Sequence, residues 1–357
     1  MRILITGGAG FVGSNLAFKL KTKYPNYFVA VADNLTRRGS ELNLPKLQDK
    51  EIRFFHCDIR LESDLSNLPE VDIIIDASAD PSVLSGIESP SVKLIQSNLF
   101  GTVNLIEMAI RNKSKFIFLS TSRVYPYGLI NSLSLEETET RFQLKADQKI
   151  SGVTTEGISE QFPLNGSKSF YGAAKFCSEV LIQEYIELKG LEASVLRCGV
   201  IAGPGQFGKV DQGVIVFWLA AHYWKNDLTY FGYGGKGKQI RDILHIDDLT
   251  DLIDIQIHGF EVFSGLTFNV GGGHANSVSL CELTSMCQTI TGNQIEVRSR
   301  PENRAVDIPY YVTDNKLIEK TTGWRPAKSV EVTLRDIYEW LKLHESTLIK
   351  VLYQRSK

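Results

Sequence analysis

MRILITGGAGFVGSNLAFKL, residues 1–20, runs from a short apolar segment through a glycine-rich turn into an apolar helical pattern. Gly7, Gly10 and Gly13 form GxxGxxG inside TGGAGFVG (6–13), with Phe11 and Val12 between the last two. A glycine triplet alone says little; the strand before it and the helix after it give it meaning. In that setting glycines permit the tight turn, the close approach of backbone to a pyrophosphate and the close packing of helix on sheet. The helix N-terminus meanwhile offers N–H groups to an anion. Asp33 ends the next apolar run, about twenty residues beyond Gly13, where a carboxylate accepts hydrogen bonds from the ribose hydroxyls of a dinucleotide. Its charge repels a 2′-phosphate, which favours NAD over NADP, although Arg37 and Arg38 follow closely and could neutralise one.

Outward from this start, the runs RILIT, YFVAVAD, IRFFHCD, VDIIIDASA and KFIFLST read as strands separated by helical stretches. Strand–helix alternation means a parallel sheet with crossover helices. A helix over 171–188 and a strand over 194–198 continue the pattern. From about Gly203 glycine, aromatic and basic residues become denser and the alternation weakens. The fold class is therefore α/β: a Rossmann doubly wound parallel sheet with a smaller, mixed α/β substrate-binding lobe. Residues 1–202 and 241–272 are expected in the nucleotide domain, and 203–240 and 273–357 in the second lobe.

Composition narrows the function. In 357 residues, 43% hydrophobic and 22% charged, disorder and fibrous classes are disfavoured, and a formal charge of −2 provides no basic field for nucleic acid. No run approaches the roughly 18 apolar residues of a membrane span. The five cysteines, Cys57, Cys177, Cys198, Cys281 and Cys287, are scattered without CxxC spacing, which argues against a disulfide framework and a zinc site and fits a reducing cytoplasm. The six histidines show no metal-ligand spacing either, so no metal is expected.

For chemistry, Tyr171 and Lys175 lie one helical turn apart at an expected helix start. A phenol ordinarily loses its proton near pH 10, and a neighbouring cation and a helix N-terminus make it a usable base. A tyrosine and a lysine at this spacing arise by chance about once in a chain of this composition, so position decides. Tyr185 and Lys189 stand roughly 21 Å further along the same helix and read as surface. Thr121 lies at the C-terminal end of KFIFLST, the edge where such sheets gather ligands, with Ser122 beside it. The bland alternative for these two hydroxyls is turn chemistry.

TGGAGFVG, Asp33, STSRVY (120–125) and YGAAK (171–175) together resemble the extended short-chain dehydrogenases that modify nucleotide sugars. The resemblance covers nearly the whole chain. It implies a catalytic set of Thr121, Tyr171 as acid/base, and Lys175 as its partner and nicotinamide-ribose contact. Asn34, Ala77, Ser78, Ala79, Asn98 and Tyr171 join the glycine loop and Asp33 as expected NAD contacts, and Asp58 and Ile59, placed after the third strand, are expected at the adenine edge. On the substrate side it implies Ser122, Arg123, Gln206, Gln212, and Arg241 of GKQIRDILHIDD gripping a nucleotide diphosphate, with Arg304 and Asp307 of RAVDIPYYVTD. Arginine suits that grip because its fork meets phosphate oxygens bidentately.

Longer strings, DNLTRRGSELNL (33–44), EETETRF (136–142), VDQGVIVFW (210–218) and FNVGGGHANSVSL (268–280), narrow the resemblance to enzymes that epimerise a CDP-linked sugar at C2. Two readings stay open beside it: a C4-epimerase of a UDP- or GDP-sugar, and a non-catalytic NAD-binding sensor. The resemblance also implies a homodimer or homotetramer through helices at 97–111 and 171–188.

Overall fold

The computed structural model describes residues 1–87, 89–208 and 212–352. They form two compact units, each assembled from separated pieces of chain. The first is Met1–Val124, Phe170–Arg197 and Thr250–Phe268, and the second is Tyr125–Ser169, Cys198–Leu249 and Asn269–Lys357.

Seven strands make the sheet of the first unit: β1 (Arg2–Thr6), β2 (Phe28–Asp33), β3 (Arg53–His56), β4 (Ile73–Asp76), β5 (Lys115–Thr121), β6 (Ala193–Cys198) and β7 (Thr267–Val270). The last residues of β6 and β7 already belong to the second unit. Their order is β7-β6-β5-β4-β1-β2-β3, and the pairs β1/β2, β1/β4, β2/β3 and β4/β5 are parallel. The order turns back on itself between β1 and β4, the switch point at which such sheets open a crevice beyond their C-terminal ends. Strand alternation sorts the core. Leu4, Ala30, Ile74, Phe116 and Phe118 face one side, buried with Leu105, Ile106 and Met108 of helix Gly101–Asn112 and Ile182 of helix Phe170–Lys189. Ile3, Ile5, Val31 and Ile75 alternate with them and are equally buried. Strands buried on both faces need continuous apolar runs, and this is why RILIT and VDIIID were readable. We label the helices Phe11–Lys23, Gly101–Asn112 and Phe170–Lys189 α1, α2 and α3.

The second unit has a four-stranded sheet in which Ile240–His245 is central. It runs parallel to Val200–Ala202 and Tyr310–Tyr311 and antiparallel to Ser277–Ser279. Its core gathers Ile215, Trp218 and Leu219 with Leu283 and Cys287 and with Leu334, Ile337 and Leu341, from three helices. Residues 125–169, placed by strand–helix alternation with the nucleotide lobe, pack in this unit. They carry two short hairpins, and these are tied to it by backbone: Phe142 N–H donates to Lys238 O (3.0 Å) and Ile158 N–H to Val312 O (2.8 Å). Residues 241–249 belong here as well. Val210 and Asp211 of VDQGVIVFW lie outside the described residues. Among the described residues no helix is long and apolar enough to cross a membrane.

Candidate active site

Beyond β1 the chain turns on Gly7, whose φ is +63°. A Cβ there would stand 2.7 Å from the Ala77 carbonyl oxygen and 2.9 Å from Ser78 Cα. The first glycine is thus fixed by two demands at once, a left-handed backbone and direct contact with the chain leaving β4. At Gly13 a Cβ would meet Gly7 O at 2.4 Å, so the third glycine serves close packing. Gly10 caps α1 with no side chain, and the first turn carries no acid. A bare helix start facing the switch point fits the pyrophosphate of a dinucleotide.

Asp33 is aimed by its neighbours: one oxygen accepts from Ala9 N–H (3.1 Å), the other from Leu35 N–H (2.8 Å). Burial raises its pKa, and these amides oppose the rise. Asn43 donates to Ala9 O (2.8 Å) and ties residues after β2 to the glycine loop. Asn34 reaches Asp58 (3.4 Å). Asp58 itself is held in a fork by Arg60, with Nε at 2.9 Å from Oδ1 and Nη2 at 2.5 Å from Oδ2. That guanidinium holds the Asp58 carboxyl down at about 2. A carboxyl depressed in the folded state stabilises above its unfolded pKa and loses that contribution as pH falls through the folded one. Asp58→Asn is therefore expected to lower the melting temperature at pH 7, with the gap to the parent closing as pH drops from about 5 toward 2; a gap of constant size in melts across that range would refute the assignment. Ile59 packs its side chain against the place where Gly101 lacks one, and its carbonyl accepts from Asn104 (3.0 Å).

The residues after β4 hang on a fully buried carboxylate that the sequence reading passed over. Asp76 accepts from Thr6 Oγ1 (2.8 Å), Ser78 Oγ (2.5 Å) and Thr102 Oγ1 (2.9 Å), joining β1, β4 and α2. An acid inside an apolar run, IIID, was the available signal. Asn98, on a π-helical turn Gln96–Phe100, clamps Asp80 by both backbone groups at 2.8 and 2.9 Å. Ala77 and Ser78, which stand against Gly7, are thereby held in place.

On α3, Tyr171, Lys175, Glu179 and Ile182 share the buried face. Tyr171 is buried beside Leu94 and Ala174. Lys175 is 1% exposed; its Nζ donates to Leu119 O of β5 (3.0 Å) and to Ser78 O (3.3 Å), and lies 4.4 Å from the Phe118 ring centre. The ammonium is placed at the C-terminal ends of β4 and β5. Thr121, buried at the end of β5, accepts Arg123 N–H (3.2 Å), a turn contact that stands beside the catalytic reading of its hydroxyl, and Ser122 opens the short helical turn that follows. The other tyrosine–lysine pairs differ. Tyr185 and Lys189 both bind Glu107 (2.5 and 3.0 Å), and Lys342 stacks on Tyr338 in helix Val330–Leu343. The five cysteines are unbridged.

Within the second unit Arg241 donates to Ile308 O (2.8 Å) and approaches Asp307 Oδ1 (3.4 Å), so two residues read as separate anchors form one pair. Arg304 lays its guanidinium 3.6 Å from the centre of the Phe231 ring, a stacking the sequence did not announce. Gln206 donates to Ile201 O (3.0 Å) and Gln212 is half-buried. His245, Asp247 and Asp336 converge, but the cation between the carboxylates is Lys328, at 2.7 and 2.8 Å. Burial, more than Lys328, lowers the His245 pKa.

Residues 3–271 match the family described as NAD dependent epimerase/dehydratase. A CDP-paratose 2-epimerase from Salmonella typhi is 31% identical over 349 residues, 95% of this chain and 99% of that protein. A putative UDP-glucose 4-epimerase from Methanocaldococcus jannaschii is 28% identical over 350 residues, 97% of this chain and all of that one. Among solved structures, a UDP-glucose 4-epimerase from Thermotoga maritima, crystallised with UDP-glucose, superposes with a TM-score of 0.78 at 25% identity, over 97% of this chain and all of that one.

Proposed function

Because the chain belongs to the NAD dependent epimerase/dehydratase family, enzymes that work on nucleotide sugars with NAD, we propose that it is a CDP-paratose 2-epimerase, inverting C2 of the CDP-linked sugar. Support for the finer reading comes from the near-full-length similarity to the Salmonella typhi enzyme. Support for the chemistry comes from one observation above all. Lys175, on the same helix face as Tyr171, is pinned to the carbonyls of Leu119 on β5 and of Ser78 just beyond β4.

In this reading Thr121 holds the sugar C2 hydroxyl by hydrogen bond, and the Tyr171 phenolate takes its proton. Lys175, a buried ammonium one turn along, stabilises the phenolate electrostatically. Bound NAD supplies the two-electron oxidation at C2 and its reversal. Tyr171 then returns the proton to the oxygen of the re-reduced sugar, so the net change is inversion alone. Arg241 and Arg304 anchor the nucleotide diphosphate and Asp307 its ribose, which lets the sugar turn while the other end stays held. Ser122, Arg123, Gln206 and Gln212 complete the substrate contacts. The second unit is the nucleotide-sugar lobe. Exposed Phe100, Val180 and Leu188 on α3 and the turn before α2 support a homodimer or homotetramer, which light scattering would size.

Proton NMR of CDP-paratose incubated with the purified protein, without added NAD, tests the reading. Appearance of the C2-inverted sugar is the expected result and shows a carried cofactor as well. No inversion even after NAD is supplied would end the C2 assignment. C4 epimerisation of a UDP-sugar, supported by the Methanocaldococcus jannaschii relative, would then lead.

A further inference from the structure

Behind the tyrosine and lysine lies a second charged group that the chemistry above does not use. Glu179 sits one turn beyond Lys175 on α3, and its side chain is 6% exposed. Arg197 of β6, 7% exposed, grips it with Nε at 3.1 and 3.2 Å and Nη2 at 2.7 Å. The remaining partner is Ser120, whose hydroxyl donates to Glu179 Oε1 at 2.5 Å. Burying two charges is expensive, and an apolar pair of similar volume commonly serves stability as well or better. Conformational definition is what such a pair adds, so the place it defines is the clue.

That place is the end of β5. Leu119, Ser120 and Thr121 are consecutive, and the first two are bound to α3 at successive turns: Leu119 O by Lys175, Ser120 Oγ by Glu179. One bond alone would leave the helix free to tilt or slip against the strand. Two bonds, one residue apart on the strand and one turn apart on the helix, allow a single register. We propose that Glu179, held by Arg197 and acting through Ser120, is a positioning residue that fixes the Thr121 hydroxyl relative to Tyr171 and Lys175. This inference rests on the reading of those three as the catalytic set.

Replacing Glu179 takes from the buried Arg197 the carboxylate it grips and endangers the fold, so the informative variant is Ser120→Ala, which leaves the ion pair intact. With CDP-paratose as probe, Ser120→Ala is expected to lower kcat about tenfold with KM changed less than twofold, because a small misplacement of reacting groups is costly in rate. The acidic limb of its kcat–pH profile should move to higher pH, NAD content and melting temperature should stay near those of the parent, and Ser120→Thr, which restores a hydroxyl, should recover most of the rate. An unchanged kcat and pH profile in Ser120→Ala overturns the inference, as does a rate loss that merely follows the unfolded fraction. Tyr171→Phe, assayed beside it, separates the two failures. If Tyr171→Phe is inactive while Ser120→Ala is fully active, positioning alone is wrong; if Tyr171→Phe turns over normally, the catalytic reading falls first.

Discussion

Tyr171→Phe is expected to abolish sugar inversion, with kcat lowered about a thousandfold or more, while the purified variant still carries NAD. The size follows from what a positioned acid/base contributes, roughly two to four orders of magnitude, and here one oxygen both takes and returns the proton. Retention of NAD follows from packing. Tyr171 is buried against Leu94 and Ala174 through its ring, which phenylalanine keeps, and Lys175 stays tied to the carbonyls of Leu119 and Ser78 without the phenol. Two measurements decide it: single-turnover conversion by NMR, and NAD released on denaturing the protein. Full conversion would remove Tyr171 from the chemistry and exclude the non-catalytic sensor as well, whereas loss of both conversion and NAD would assign Tyr171 to cofactor binding alone.

Gly7→Ala is expected to cost more of the molecule. The backbone there is left-handed, which charges any residue with a Cβ roughly 1–2 kcal/mol. The new methyl would also stand 2.7 Å from a carbonyl oxygen and 2.9 Å from a Cα, neither of which can swing aside like a side chain. The glycine loop and the chain after β4 must part, and both line the NAD site. We expect NAD affinity to fall at least about a hundredfold and the melting temperature by several degrees, since backbone strain and lost packing act together. Gly10→Ala provides the contrast: φ is −75° and the nearest atom to a Cβ is 3.0 Å away, so this variant should melt near the parent and lose affinity only by crowding the pyrophosphate. Calorimetric titration with NAD and thermal melts compare them. A Gly7→Ala protein that retains one NAD per chain would show that the loop adapts in a way the contacts forbid.

Much of the first unit was legible because buried parallel strands have a composition of their own. KFIFLST became Lys115–Thr121, the helix read over 171–188 is Phe170–Lys189, and the strand read over 194–198 is Ala193–Cys198. Periodicity and punctuation are local, and these elements are decided locally. Residues 125–169 were harder. Their hairpins have strands of two or three residues, too short for alternation to show, and what holds them is backbone pairing with Lys238 and Val312, far away in sequence. The same limit hid Asp76 and Glu179. A buried carboxylate is recognised by its partners, and Thr102 and Arg197 are brought to them only by the fold. For Tyr185 and Lys189 the surface reading rested on distance along the helix; the structure supplies the partner, Glu107 on α2.

The alternation of pieces between the two units has a consequence for how the protein is made. A ribosome delivers Met1–Val124 first, yet β6 and the strand at the sheet's edge, β7, emerge only after long stretches belonging to the other unit. Until β7 has cleared the exit tunnel, a strand that is interior in the finished sheet is left unpaired on one side, the kind of surface on which chains associate wrongly. Neither unit can be cut out as one contiguous fragment, so truncation and recombination at a single junction should give aggregates rather than half-proteins. A segment such as Tyr125–Ser169, which leaves the first unit and returns to it, can be exchanged only together with its partners in the second unit, Lys238 and Val312 among them.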